Sequence, residues 1–502
     1  MNRASSLARR VASWPHRAIA VELSALAIVV LAFAAIVIGV ISIGSALHWD
    51  ESVYAVRARS WVDPDAVLSG WSYIRPPLLP LIAGLPVASG GAEWQLRTIG
   101  LVSGAGLLLA AWWLGRMLVG PIAGVLAAAV LAGSPTLIKE SATLLTDVPA
   151  AALMLVASAL LWWSLEERPR PGRALALAAA VAALAFLMRY GSVVVLAPMA
   201  AIAVALWWRQ LWAHRAASLG AVAVVAALAA GHVAWSMIQT GAPLGILVDA
   251  QNVVSGDARD VPSRDYRGYL SFTLAGSIGA TAMRLGVESL AAAGLAAALW
   301  PRWRRELRAA LFLLLPALAQ IFLVTRGVGH AEPRFFIYST ACLVIAGVAL
   351  VVAVLRALPA IVRWSALAII GVALVNAVPP ANGYARERTE DIARYYHRFE
   401  VAAHTIDAES GPDCGIVGGG DPILAWYSGC QTDRLRIGDG FGPGDNLDAS
   451  ERWAVIFGNS EAIDYSDPAI VAIEDAAEGP PMRIADPTSG DDIAVAWRLR
   501  GP

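Results

Sequence analysis

Repeated stretches of about 20 mainly apolar residues constrain this chain more than any other feature of its sequence. A helix of about that length crosses the roughly 30 Å hydrocarbon core of a membrane. Only 15% of the 502 residues are charged, against about 25% in soluble domains. So few charges cannot cover several water-facing surfaces. The sequence therefore predicts an all-α polytopic membrane protein and excludes a soluble enzyme.

Eleven membrane spans are predicted. The first is expected to remain as an anchor, because no signal-peptide cleavage site follows it. Arg residues precede it and recur in alternate loops, which places the N-terminus in the cytoplasm of a plasma-membrane protein and the C-terminal segment outside. The predicted spans cover residues 21–43, 97–115, 120–138, 147–164, 173–190, 192–208, 217–238, 281–300, 308–325, 335–355 and 361–379.

The segment from residue 381 onward has a different composition from the spans. It contains 22 Asp and Glu but 10 Arg, and short apolar runs alternate with Gly, Asp and Pro turns. This pattern predicts a small extracytoplasmic α/β domain over residues 381–502, after a transmembrane catalytic domain over residues 1–380. Cys414 and Cys430 both lie in the smaller domain. An oxidising exterior favours a disulfide between them, and two free thiols are the alternative.

The predicted outer segment at 44–96 begins with two adjacent carboxylates, Asp50 and Glu51. Such a pair at a membrane interface is costly to desolvate unless something uses it. Tyr54 and Arg59 follow at helical spacing, so a short helix could turn an Arg back toward the acids and hold one of them ionised. Solvated loop acids are the alternative interpretation.

Arg75 precedes Pro76 and Pro77, which push it out of helical geometry and present its guanidinium at the start of an apolar segment. Guanidinium groups match phosphate oxygens with two hydrogen bonds, so Arg75 is a candidate phosphate ligand. An ordinary interfacial Arg is the alternative.

Arg189 and Arg334 lie at outer ends of predicted spans, against the positive-inside bias, and together indicate an anionic ligand on the outer side. Asp147 stands before Val148 and Pro149 at a predicted helix start. There, stabilisation of the helix N-terminus competes with a functional role.

Other kinds of chemistry lack a sequence signal. His48, His330 and Glu332 are conceivable metal ligands, but no His-x-x-His or HExxH spacing supports them. No GxSxG motif, P-loop or dinucleotide-binding glycine pattern is present, and no basic surface suits nucleic acid. We therefore expect neither a metal nor a cofactor.

Four short motifs, taken in order, resemble the GT-C superfamily of integral-membrane glycosyltransferases, within it the protein O-mannosyltransferase and lipid A aminoarabinose transferase branch. The likeness covers roughly residues 20 to 380. It implies an enzyme that takes a single sugar, such as mannose, from a polyprenyl or dolichyl monophosphate carrier at the outer face. The motifs are Asp-Glu at 50–51, Arg-Pro-Pro-Leu at 75–78, Thr-Asp-Val-Pro at 146–149 and Pro-Arg-Phe-Phe at 333–336.

The resemblance also implies residue roles. Asp50 would be the base that activates the acceptor, and Glu51 its neighbour that positions substrate or loop. The remaining candidates are Asp147 as a second carboxylate of the cavity and Arg75, Arg334, Arg189, Tyr54 and Arg59 as ligands of the lipid phosphate or substrate. Two departures stand out: Val53 occupies a position where relatives frequently have Arg, and Arg75 replaces a commoner Lys. The acceptor could be protein, glycan or lipid.

The implied mechanism needs only the residue types found here. A glycosyl phosphate already carries a good leaving group, so cations and one base suffice for direct displacement with inversion. Two alternatives stay open. A secondary transporter would have charges at mid-membrane depth and matching halves. An oligosaccharyltransferase-like enzyme would be expected to have a metal-binding acidic site and a larger soluble domain.

Overall fold

The computed structural model describes residues 16–44, 46–63, 66, 74–167, 172–250, 304–325, 333–411, 413–433, 447, 449–458, 463 and 466–500. The predicted span at 281–300 lies outside these ranges, as do His330 and Glu332. The described helices, numbered in chain order, are α1 (His16–Ile41), α2 (Trp49–Val62), α3 (Leu78–Ala88), α4 (Glu93–Leu118), α5 (Pro121–Ala132), α6 (Pro135–Ser141), α7 (Asp147–Trp162), α8 (Gly172–Met188), α9 (Val193–Ala213), α10 (Arg215–Thr240), α11 (Arg304–Thr325), α12 (Ile337–Ala357), α13 (Ala360–Glu409), α14 (Asp421–Ser428) and α15 (Pro468–Ala476).

Two compact units are interleaved along the sequence. The first, here the helical unit, comprises Met1–Val40, Ile99–Ala142 and Thr146–Arg386. The second, here the mixed unit, comprises Ile41–Thr98, Thr143–Leu145 and Glu387–Pro502. The predicted domain boundary at residue 380 stays a prediction. The mixed unit combines residues close to that boundary with a segment from the first hundred residues of the chain.

The predicted spans correspond to real helices. Among the described residues, eight helices are long and apolar enough to cross a membrane, or nine if the bent pair α5 and α6 counts as one span. The shorter apolar helix α8 accounts for the predicted span at 173–190. Ten of the eleven predicted spans thus fall on described helices, which confirms the polytopic all-α architecture.

The predicted span at 120–138 is not one straight helix. The axes of α5 and α6 differ by 71° at a break around Gly133 and Ser134. Pro135 has no backbone N–H to continue the first helix, and it disfavours helical geometry in the preceding residue. Ser134 instead begins α6 as its N-cap, accepting a hydrogen bond from the amide of Leu137. The Gly-Ser-Pro sequence therefore breaks the span.

One end of the helical unit, here the arginine–glutamate end, is held by matched charges. The π-helical turn Trp163–Glu167 carries two carboxylates: Glu167 pairs with Arg305, and Glu166 lies 2.9 Å from Nε of Arg308. Trp207 Nε1 also donates to Glu166 at 2.7 Å. Arg356, at the end of α12, donates to the carbonyl of Val119 at 2.8 Å. Each arginine here thus has an acceptor.

The mixed unit contains a five-stranded sheet in the order β2-β1-β3-β5-β4. The strands β1 and β2, and β1 and β3, are parallel, whereas β5 is antiparallel to β3 and β4. This arrangement confirms a small α/β fold in the C-terminal region. The strands are β1 (Cys414–Gly418), β2 (Gln431–Asp433), β3 (Glu451–Phe457), β4 (Met482–Ala485) and β5 (Asp492–Leu499).

A disulfide between Cys414 and Cys430 joins the start of β1 to the residue before β2. Helix α14 is the connection between these two strands, so the bridge closes the segment that contains it. At the start of α14, Gly420 has φ +76°, and a Cβ there would lie 2.4 Å from the ring of Phe399. Only glycine therefore allows α14 to begin this close to α13.

Candidate functional site

Asp50 and Arg75 form an accessible pair within the mixed unit. Asp50 lies in the first turn of α2, and Arg75 lies three residues before α3. One guanidinium nitrogen of Arg75 is 3.3 Å from Oδ1 of Asp50, and both side chains are 24% exposed. The guanidinium also lies 5.4 Å from the ring of Trp49 and 5.7 Å from that of Tyr54. The Asp50 carboxylate and a guanidinium that could bind phosphate thus pair at a partly exposed position.

Glu51, although adjacent in sequence, is in a different environment. Its side chain is 1% exposed and accepts two hydrogen bonds from Arg97, at 3.0 and 2.9 Å. The amides of Leu144 and His48 also donate to it, at 2.8 and 3.1 Å. A carboxylate with this many donors fixes the backbone around it.

Burial opposes the charged form of Glu51, but the charges of Arg97 and His48 and the hydrogen bonds from Arg97 and Leu144 outweigh it. The pKa of Glu51 falls from 4.5 to about 2 as a result. Glu51 is therefore ionised at neutral pH. Its hydrogen bonds hold the local structure together, and a carboxylate with so low a pKa is poorly suited to accept a proton in a reaction.

Tyr54 and Arg59 take different positions on α2. The ring of Tyr54 is buried beside Arg75. Arg59 lies near the far end of the helix and does not turn back toward the two acids. It donates instead to the carbonyls of Ala425 and Trp426 and stacks on the Trp426 ring, 4.2 Å away. These partners are more than 360 residues away in sequence, so local spacing could not reveal them.

The helical unit contains a second cluster, here the cleft end. Asp147 begins α7, as predicted, and is 4% exposed. Arg189 contacts Oδ1 of Asp147, and Nε of Arg334 is 4.0 Å from Oδ2. Both guanidinium groups also lie over Phe335, at 4.2 and 5.3 Å from its centroid. Two guanidinium groups thus converge on one carboxylate.

A small open cleft lies beside these three residues. Its lining includes the hydroxyl-bearing residues Ser192 and Tyr338, together with Gln320. The Ser192 hydroxyl is buried and has no hydrogen-bond partner among the described residues. Tyr338 and Ser158 share a hydrogen bond of 3.1 Å, and Gln320 donates to the carbonyl of Phe335 at 2.7 Å. A cationic cleft with neutral polar groups suits an anionic, hydroxyl-rich ligand.

Arg97 is the main site-region residue that sequence reasoning missed. It lies in the first two turns of α4, at the start of a predicted span on the side that should be poor in Arg. That departure, already noted for Arg189 and Arg334, was the available signal. The buried polar lining of the cleft, Ser192 and Gln320, gave no such signal, because single polar residues at span ends are common.

Within the described residues, no group of three or more His, Cys, Asp and Glu could hold a metal.

Residues 74–235 match the family model described as dolichyl-phosphate-mannose-protein mannosyltransferase. No curated protein sequence shows significant similarity to the chain. This matched region contains Arg75, Arg97, Asp147 and Arg189, and thus parts of both clusters.

Solved structures resemble almost the whole chain. The apo structure of ArnT from Cupriavidus metallidurans matches at a TM-score of 0.63 and 15% identity, covering 94% of this chain and 99% of that one. The same protein bound to undecaprenyl phosphate matches at 0.60 and 14%, covering 96% and 99%. The apo oligosaccharyltransferase of Archaeoglobus fulgidus matches at 0.58 and 13%, covering 87% and 69%. The chain therefore has the fold of the GT-C superfamily of membrane glycosyltransferases and resembles its protein O-mannosyltransferase and ArnT branch.

Proposed function

We propose that this protein transfers a single sugar, with inversion, from a polyprenyl or dolichyl monophosphate carrier to an acceptor at the outer face of the plasma membrane. The observation that carries this proposal is the accessible Asp50–Arg75 pair, with 3.3 Å between carboxylate and guanidinium. The undecaprenyl phosphate bound to ArnT supports the carrier class.

Asp50 is the proposed base. The acceptor oxygen attacks the anomeric carbon, the bond from that carbon to the phosphate oxygen breaks, and its electron pair leaves with the lipid phosphate. The acceptor proton passes to Asp50. One base opposite one leaving group gives direct displacement and an inverted anomeric centre.

Arg75 is the proposed phosphate ligand of the mixed unit. Its guanidinium is paired with Asp50 in the structure, so a carrier phosphate would compete with Asp50 for the same donor. Binding of the phosphate would then weaken the pairing and leave the carboxylate with a greater proton affinity. The same guanidinium would stabilise the charge that accumulates on the departing phosphate.

The cleft end supplies a second cationic site. Arg189 and Arg334 converge on Asp147 beside the cleft, and their guanidinium groups would bind an anionic group of the ligand. We assign Asp147 to aligning the two guanidinium groups. The hydroxyls of Ser192 and Tyr338 would bind neutral polar groups of the ligand.

The test uses the full-length protein in lipid nanodiscs with polyprenyl monophosphate sugars, a mannosyl donor among them, and an extract of membrane acceptors. Release of lipid phosphate and transfer of labelled sugar are measured. We expect the Asp50→Asn variant to lose activity by about 100-fold or more, since general-base catalysis contributes about 10²- to 10⁴-fold. Asp391→Asn is the matched control, because that carboxylate pairs with Arg394 one helical turn away on α13. Equal activity of Asp50→Asn and the wild type would refute the assignment.

An oligosaccharyltransferase-like activity is the second candidate, since the Archaeoglobus fulgidus enzyme shares the fold. Lipid-linked oligosaccharide and an acceptor peptide, with and without added divalent metal, discriminate between the two. Transfer of an entire glycan to the peptide would favour this candidate over a monosaccharide transferase.

A further inference from the structure

Helix α14 of the sheet-bearing region contacts both ends of α2, the helix that carries Asp50. At the far end of α2, Arg59 donates to the carbonyl of Ala425 at 3.3 Å and to that of Trp426 at 2.8 Å. These carbonyls belong to the last turn of α14, where the helix dipole favours a cation, and that of Ala425 also accepts from the amide of Gly429 at 3.2 Å. The guanidinium also lies over the Trp426 ring. Arg59 thus binds α14 through both charge and stacking.

At the near end, α14 reaches the backbone that leads into α2. The amide of Leu47 donates to the hydroxyl of Tyr427 at 2.9 Å. Leu47 is followed by His48, the N-cap of α2, whose ring accepts from the amide of Asp50 at 3.2 Å. The Tyr427 hydroxyl is therefore connected to Asp50 through two consecutive residues.

The remaining backbone groups of this entry segment are also bound. Arg97 donates to the carbonyl of Ala46 at 3.1 Å, and the Glu51 carboxylate accepts from the amide of His48. Trp426 Nε1 lies 3.4 Å from the carboxylate of Glu93, one helical turn before Arg97 on α4. Residues 46–48 are thus held from one side by α4 and from the other by α14.

We propose that Tyr427, with Arg59 and Trp426 as its supports, is a positioning residue for Asp50. Tyr427 touches no reacting atom. It fixes the backbone from which α2 starts, and thereby the location of the carboxylate relative to Arg75. This inference rests on the proposed function only for the role of Asp50 in catalysis.

The first experiment measures hydrogen exchange in the full-length protein by mass spectrometry, and it does not depend on activity. In Tyr427→Phe, the amide of Leu47 loses its acceptor. We expect amides of residues 48–53, which follow the amide that donates to Tyr427, to exchange about 5-fold faster, the effect of losing roughly one hydrogen bond. Tyr395→Phe is the matched control, because that tyrosine is 52% exposed on α13. Unchanged exchange over residues 48–53 in Tyr427→Phe would overturn the proposal.

The second experiment measures sugar transfer by the same variants. A misplacement of about 1 Å can cost on the order of 100-fold in rate. We therefore expect kcat of Tyr427→Phe to fall about 10- to 100-fold, with KM for the lipid donor unchanged because Arg75 remains. Arg59→Ala should lower kcat in the same way, and Arg59→Lys, which keeps the charge but not the flat stacking surface, should recover part of it. A rise in KM without loss of kcat would contradict positioning of the base.

The two experiments separate the two proposals. Faster exchange in Tyr427→Phe, combined with a wild type that transfers no sugar from any polyprenyl monophosphate donor, would refute the proposed function and retain the contact between α14 and α2. Sugar transfer by the wild type, combined with full activity of Tyr427→Phe, would refute the positioning role and retain the function.

Discussion

The two ends of the helical unit both gather arginines, but they use them differently. At the arginine–glutamate end, Arg305 and Arg308 each have a carboxylate of their own on the π-helical turn, and Arg356 has a backbone carbonyl. At the cleft end, Arg189 and Arg334 share Asp147 beside a small open cleft. Arginine content alone therefore does not identify a binding site. What distinguishes the cleft end is that two guanidinium groups converge on one carboxylate beside an open cleft with polar lining residues.

Among the tests of this comparison, the largest effect should come from removing a cation at the cleft end. Loss of one group that stabilises transition-state charge costs about 100- to 1000-fold in kcat, or roughly 2.7–4 kcal/mol. We expect a decrease of this size for Arg334→Ala in the sugar-transfer assay. Arg308→Ala, which removes an arginine from the opposite end, is the matched control and should retain most activity. Similar losses in both variants would break the comparison between the two ends.

A second prediction extends the comparison to Glu51, a fully bonded acid of the mixed unit. Its pKa in the folded protein is about 2, below the ordinary value of 4.5. Ionised Glu51 therefore stabilises the fold above about pH 4.5, and this contribution is lost as the pH falls from 4.5 toward 2. The full contribution is roughly 3 kcal/mol.

Denaturant titration of the solubilised protein between pH 6 and pH 3 measures this dependence. The Glu51→Gln variant should be less stable than the wild type at pH 6 and should lose less stability on acidification. Parallel curves for the two proteins would show that Glu51 does not carry the acid dependence. Asp391→Asn, at an exposed ion pair, supplies the control.

The smallest effect should come from the matched pairs themselves. Arg308 is 36% exposed, and exposed ion pairs contribute about 0–1 kcal/mol to stability. Arg308→Ala should thus lower the free energy of unfolding by no more than about 1 kcal/mol, and the difference should shrink at high salt. Thermal unfolding in nanodiscs at two salt concentrations provides the measurement. A larger loss would mean that this end contributes to more than local stability.

Much of the helical architecture could be predicted, because a span of about 20 apolar residues has its own signal. The helix start at Asp147 was likewise readable from the Thr-Asp-Val-Pro sequence. The break between α5 and α6 was missed because hydropathy averaging hides a single Ser-Pro step. In the C-terminal region, the apolar runs within β1, β3 and β5 are strands, whereas the run 469–474 lies within α15. Short apolar runs do not encode this distinction.

The site was less predictable, because its contacts join distant parts of the sequence. Asp50 and Arg75 were expected to share a pocket, and they pair. The different environments of Asp50 and Glu51 were not foreseeable, since they depend on Arg97 and on the amide of Leu144, 93 residues away from Glu51. The partners of Arg59 are similarly remote. Local periodicity reports which face of a helix is apolar but not which element covers it.

The hydrogen bond from Leu47 to Tyr427 spans 380 residues, which has a consequence during biosynthesis. At about 5–20 residues per second, the ribosome needs roughly 20–80 s to pass from one partner to the other. Throughout that interval the segment ahead of Asp50 lacks its tyrosine, so the nascent chain contains most of its apolar helices before this carboxylate is fully anchored. The position of Asp50 is thus fully fixed only after the distal region that carries Tyr427 has been synthesised and has folded against the entry to α2.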